Sequence, residues 1–249
     1  MAAYHNSVSD ILVVSFFPGA IFYFVYSKEN TLKYCEIQPN SSDIPSAISS
    51  SIFSKTTCIS VAQNFVLASL SDNDFKAFYN LNFDSFDELK TDELEDFRVI
   101  HNLTPNVQHV IKNLVNANVV SDISLVYQAF LQKGYQHAVY FYTVGNTVSI
   151  FCIKEGKLRI ANRYPADDLD ELFYYVMLLI EQMEMPADKV HFECLTSKGR
   201  HESYHSLFKN YLPPLNLTNV VVDNSFLPLE HHDLKAEFLQ ATFFAQCVL

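Results

Sequence analysis

The sequence predicts an α/β protein with mixed sheets, built as two lobes on one plan. Three observations predict it. Residues 135–195 read as three short strands in hairpins, then a strongly apolar helix, then a fourth strand. Residues 10–68 carry a looser version of the same order. The length of 249 residues, 49% hydrophobic and only 18% charged, is enough for two buried cores and excludes a disordered chain.

The elements follow from local signals. Ile11–Phe16 and Ala20–Ser27 flank Pro18-Gly19 and make a hairpin, with Leu32–Ile37 as a third strand. A Ser/Asn/Pro-rich link, 39–45, leads to a short helix over 47–53 and strands over 57–62 and 65–70. Ser71 is placed to cap a helix reaching Asn82, with Asp72 and Asp74 in its first turn. The run from Asp84 to Asp96 holds seven acids and reads as a solvated face or mobile loop. Thr104-Pro105 starts a helix to about Val115, and a helix over 122–133 ends at Gly134, which sets the boundary between lobes 1–134 and 135–249.

The second lobe is cleaner. Strands over 137–142 and 147–153 meet at Gly145-Asn146, and Glu155-Gly156-Lys157 turns into a third strand over 158–163. Asp167, Asp168, Asp170 and Glu171 crowd the start of a helix running to Met183 that is apolar over most of its circumference, as a helix covering a sheet would be. Strands over 190–195 and 220–223, a helix over 203–211 and an apolar helix over 232–247 complete the reading. A unit of this kind that occurs twice points to the ribonuclease H-like and actin-like ATPase architectures, many of which grip a nucleotide between two halves.

Composition narrows the function classes. A net charge of −11 disfavours contact with phosphate backbones, so no nucleic-acid partner is expected. Ile11–Phe17 and Ala20–Tyr26 are each too short to cross a bilayer, no leader pattern opens the chain, and Asn40-Ser41-Ser42, Asn102-Leu103-Thr104 and Asn216-Leu217-Thr218 mean little as glycosylation acceptors without one. Cys35, Cys58, Cys152, Cys194 and Cys247 are odd in number and form no paired motif, which suits buried free thiols in a cytoplasmic protein. Only five glycines occur: Gly19, Gly134, Gly145, Gly156 and Gly199. Phosphate-wrapping loops need glycine where backbone approaches closely, so this scarcity counts against them.

Leu158-Arg-Ile-Ala-Asn-Arg-Tyr164, with the helical stretch 170–175 and the strand 190–195, resembles an uncharacterised bacterial family described as having an actin-like ATPase fold. The resemblance implies two duplicated lobes, each a sheet with helices, and supplies no catalytic residues. Actin-like ATPases place an Asp-x-Gly turn after the first strand of each lobe, where the Asp handles metal and water and backbone N–H groups reach the phosphates. Matched to that pattern, Ser15 and Tyr142 take the Asp positions, while Phe17 and Val144 stand where glycine is expected and Pro18 lacks an N–H. The adenosine-side Gly-Gly loop is represented at best by Thr196-Ser197-Lys198-Gly199. A degenerate ligand cleft would therefore draw on Ser15, Gly19, Tyr142, Thr143, Gly145, Thr147, Ser197, Lys198 and Gly199.

Two other chemistries compete. His201-Glu202-Ser203-Tyr204-His205 matches the zinc-hydrolase pattern H-E-x-x-H, with Glu202 as base and Glu230, His231 or His232 as conceivable third ligand. His201 is expected at or before a helix start, which argues against two imidazoles on one face. A metal-dependent nuclease needs clustered carboxylates, but the strand over 137–142 has none and Glu193 lies far in sequence from Asp223. The expectation is a non-catalytic scaffold or interaction protein of actin-like fold, with no cofactor, with protein partners for which a second copy of the chain is one candidate, and with nucleotide sensing without turnover as a further alternative.

Overall fold

The computed structural model describes residues 7–39, 41, 43–71, 74–83, 88–220, 222, 224–227 and 234–249. The chain divides into two compact units. One comprises Met1–Val126, Asp223–His232 and Ala241–Leu249, the other Tyr127–Val222 and Asp233–Gln240.

In the first unit the aromatic and β-branched runs form β1 (Ile11–Phe17), β2 (Ala20–Tyr26) and β3 (Leu32–Pro39), joined as antiparallel hairpins. Gly19 takes φ +84° in the first turn, a conformation that only glycine adopts without strain. The short α1 (Ser46–Ser49) leads to β4 (Lys55–Ser60), which runs parallel to β1. The next segment, β5 (Phe65–Ser69), α2 (Phe75–Asn80), β6 (Glu88–Glu93) and β7 (Phe97–Leu103), builds a separate antiparallel sheet of order β5-β7-β6. Then α3 (Pro105–Lys112) and β8 (Ala117–Ser121) return to the first sheet, whose order is β3-β2-β1-β4-β8. α4 (Asp122–Leu131) follows directly, and the chain passes to the second unit within it.

The second unit repeats this strand order. β9 (His137–Val144), β10 (Thr147–Lys154) and β11 (Lys157–Pro165) are antiparallel neighbours. α5 (Leu169–Gln182) leads to β12 (His191–Leu195), parallel to β9, and α6 (Lys198–Phe208) leads to β13 (Asn216–Leu217). The sheet reads β11-β10-β9-β12-β13, position for position the order of the first. Helix α7 (Lys235–Val248) begins in this unit and ends in the first.

Strand alternation sorts side chains onto two faces. Leu12, Val14 and Phe16 of β1 join Val107 and Val110 of α3 in one core, while Phe17, on the opposite face, stacks on Phe244 of α7 with ring centroids 5.9 Å apart. Likewise Val139 and Phe141 of β9 pack under Leu172 and Val176 of α5, and Tyr140 on the other face stacks on Phe130 of α4 at 3.8 Å.

Several expectations are corrected. The helix expected from Ser71 starts at Phe75 with Asp74 as its cap, accepting from Ala77 N–H, because that carboxylate satisfies a free first-turn donor; Asp72 lies outside the described residues. The acidic run is not a loop throughout, since it contains β6 and the approach to β7, and its Asp92 is held in place by hydrogen bonds; Asp84 and Asp87 lie outside the described residues. β8 was unanticipated. The helix expected from Ser203 begins at Lys198. The pairing expected over 220–223 is made instead by Asn216–Leu217, with Val221 and Asp223 outside the described residues.

Candidate functional site

The two hairpin turns place their flanking residues equivalently. Phe17 pairs with Ala20 across Pro18-Gly19, and Val144 pairs with Thr147 across Gly145-Asn146. Counting back, Ser15 pairs with Phe22 and Tyr142 with Ser149. Ser15 and Tyr142 thus hold the same station in their sheets, and both are wholly buried. The Ser15 hydroxyl has no hydrogen-bond partner among the described residues. Tyr142 packs on Phe151 and accepts from Arg163 Nη2 at 3.1 Å, while Arg163 Nε donates to Ser149 Oγ at 2.7 Å. These are core positions: a metal-binding carboxylate there would have to be desolvated. Phe17 and Val144 are buried as well.

Ser15 and Gly19 belong to the first unit, and the other residues of the expected cleft to the second. Within the second unit, Thr143 and Gly145 line a cleft of about 290 Å³ with Asp167, Asp168, Arg200 and Tyr204. The Thr143 carbonyl accepts from Gln240 Nε2 at 2.6 Å. Thr147 Oγ1 donates to Val144 O at 2.9 Å, which ties the turn to itself. Ser197 is the N-cap residue of α6 without a side-chain capping bond, and Lys198 and Gly199 form the helix's exposed first turn. An added Cβ at Gly199 would meet nothing within 4 Å, so no close approach demands glycine there. The structure brings Thr143 and Gly145 into one cleft and turns Tyr142 to the opposite face of β9, as alternation requires.

His201 and His205 both lie inside α6, one turn apart, their ring centroids 6.1 Å from each other. The expectation that His201 precedes the helix is overturned by the earlier helix start. His201 Nε2 stands 2.9 Å from Leu215 O. A carbonyl only accepts, so that nitrogen carries the proton and is not the one offered to a metal. Among the described residues no three His, Cys, Asp or Glu side chains converge as a metal site requires, and Glu230, His231 and His232 lie outside the described residues.

Three features escaped the sequence. A cleft of about 360 Å³ opens in the first unit beside Gly19 and the start of α3, lined by uncharged side chains including Ser60, Asn102 and Thr104. In the second unit Glu193, almost fully buried in β12, accepts from Lys133 Nζ at 2.5 Å and Thr218 Oγ1 at 2.7 Å, with His191 Nε2 at 3.0 Å. Burial alone raises the Glu193 pKa, but the bonds from Lys133, Thr218 and His191 and the Lys133 charge outweigh it, and the net shift is downward. In the first unit Asp92 Oδ2 accepts from Ser121 N and Oγ at 2.8 and 2.6 Å and from Ser124 Oγ at 2.7 Å. His101 Nε2 lies 3.6 Å from its other oxygen, beyond hydrogen-bond range. Burial opposes ionisation of Asp92, and the surrounding donors reverse that, leaving its pKa lowered. An acid flanked by apolar residues, Phe192-Glu-Cys-Leu195, was the available signal for the first of these clusters.

The architecture is that of the actin-like ATPase fold. A solved Bacteroides thetaiotaomicron protein, described as having an actin-like ATPase fold and unknown function, superposes with a TM-score of 0.75 at 13% identity, over 86% of this chain and 92% of that one. A PilM–PilN type IV pilus biogenesis complex is also similar, with a TM-score of 0.56 at 13% identity over 98% of this chain and 100% of that one. The model of the family described as protein of unknown function DUF3822 matches residues 46–215. The chain belongs to that family. No curated protein matches it. Among the described residues no helix is long and apolar enough to cross a membrane.

Proposed function

We propose that this protein is a non-catalytic member of the actin-like architecture, a pseudo-ATPase that serves as a scaffold or interaction protein. The observation that carries the reading is the burial of Ser15 and Tyr142. At the station where an ATPase needs an ionised carboxylate facing metal and water, both sheets place a side chain without charge in the core. Phe17 and Val144 are bulky buried side chains where a phosphate turn needs glycine, and Pro18 offers no N–H to a phosphate.

The matching strand orders support an origin by internal duplication, with sequence lobes 1–134 and 135–249. The likeness to PilM, solved in complex with PilN, supports a protein partner for this chain as well. Five free thiols, four of them buried, support a cytoplasmic location.

Calorimetric titration with ATP and ADP in magnesium, alongside a phosphate-release assay, tests the reading. Neither nucleotide should bind or turn over, while affinity capture from native cells should recover a stoichiometric protein partner. A magnesium-dependent ATPase rate abolished by changes at Phe17–Gly19 or Val144–Asn146 would overturn it.

A further inference from the structure

We propose that the uncharged cleft of the first unit binds a small organic monocarboxylate. The cleft adjoins the first hairpin turn, with Phe17, Pro18 and Gly19 in its lining, and extends along the β1 face that carries Phe16, opposite the face that carries Ser15. Its volume of about 360 Å³ falls in the range of small-molecule sites.

The anion-binding end is the start of α3. Thr104 is the N-cap residue but makes no side-chain capping bond, and Pro105 at the first position has no N–H. The first backbone bond into the helix is Gln108 N–H to Thr104 O. The N–H groups of Asn106 and Val107 therefore have no partner within the helix, and both residues line the cleft. These donors sit at the positive end of the helix dipole.

Ser60 supplies a second, independent pointer. It is only 3% exposed, lines the cleft, and pairs with Phe16, so its side chain shares the cleft-facing side of the sheet. Its hydroxyl makes no hydrogen bond among the described residues. A hydroxyl that opens onto a cleft and has no protein partner is free to donate to a ligand in place of water. Two backbone N–H groups and one O–H among the residues lining one cleft are three donors for an acceptor-only group.

The charge balance selects the ligand's valence. No Lys or Arg lines the cleft, the chain's net charge is −11, and Asp122 lies close enough to accept from Ala62 N–H of the lining at 3.4 Å. A phosphate dianion or polyphosphate would lack compensation there. A single carboxylate matches one helix terminus, and Phe16, Pro18, Ile21 and Val107 offer an apolar wall to its organic body.

Sodium 3-phenylpropanoate, 3-phenylpropanamide and inorganic phosphate are titrated separately into the ¹⁵N-labelled full chain and followed by amide chemical shifts. The carboxylate should give saturable shifts centred on Asn106 and Val107. The amide should bind at least about tenfold more weakly, the loss of a hydrogen bond to a charged group, and phosphate should not shift these signals. Ser60→Ala should fold with an unchanged urea midpoint, because its hydroxyl holds nothing, yet bind the carboxylate about tenfold more weakly. Absence of saturable shifts, equal binding of the amide, phosphate acting at the same amides, or undiminished affinity in Ser60→Ala would each overturn the proposal.

Discussion

Replacing Lys133 with Met removes an ammonium while keeping an unbranched stem beside the Phe130 and Tyr140 rings, whose centroids lie 5.0 and 5.8 Å from Lys133 Nζ. Glu193 would remain in β12 with its side chain 5% exposed and only Thr218 and His191 to hold it. Breaking a buried pair by removing one partner costs about 3–5 kcal/mol. Lys133 is 34% exposed, so water already shares its solvation and the lower end, about 3 kcal/mol, is expected at neutral pH. The sign of the pH dependence separates this cause from lost packing. In the wild type the Glu193 pKa is lowered, so its stabilisation is present above the unfolded carboxylate value and is lost as pH falls through the folded value. In Lys133→Met burial dominates and raises that pKa, so acidification relieves the defect instead. Urea unfolding followed by far-UV circular dichroism at pH 7 and pH 5 measures both effects. The double change Lys133→Met with Glu193→Gln should recover at least about 1 kcal/mol over the sum of the single changes. A loss under about 0.5 kcal/mol at pH 7, or one independent of pH, would refute the reasoning.

Three further outcomes are expected. Phe17→Ala removes a ring stacked on Phe244 and set edge-on to Phe22 at 5.4 Å, and should cost about 3–5 kcal/mol in urea unfolding. Ser15→Ala removes a buried hydroxyl without a partner and should leave stability within about 0.5 kcal/mol of wild type or raise it; a clear loss would show that the hydroxyl is bonded. In the native protein only Cys247 should react with an aromatic disulfide reagent, the other four thiols reacting after denaturation.

The hairpins were legible because their turns are local. Pro18-Gly19, Gly145-Asn146 and Glu155-Gly156 each supply residues suited to positive φ, and Gly19, Gly145, Glu155 and Gly156 all adopt it. Thr104-Pro105 marked α3 and the acids before Leu169 marked α5, with Asp168 capping through Glu171 N–H. What escaped depends on distant partners. β6 reads as a solvated run until Ser121 and Ser124 arrive from β8 and α4 to bind Asp92. β8 is five residues long with mixed burial and follows a sharp turn at Asn116, φ +52°, so it shows no clear alternation. Gly199 and the basic residues around it discouraged a helix that nonetheless begins at Lys198. The Ser60 cleft requires β1, β4 and α3 at once, and no sequence window contains all three.

Neither compact unit is a continuous stretch of chain. The Phe17 hairpin is completed by Phe244, more than two hundred residues later, and the whole of Tyr127–Val222 is synthesised in between. A growing polypeptide therefore leaves the Phe17 ring without its Phe244 partner until the second sheet has been made. Vectorial folding from the N-terminus, the ordinary route for tandem modules, is closed to this topology, and a nascent chain halted after α4 should be a client for holdase chaperones.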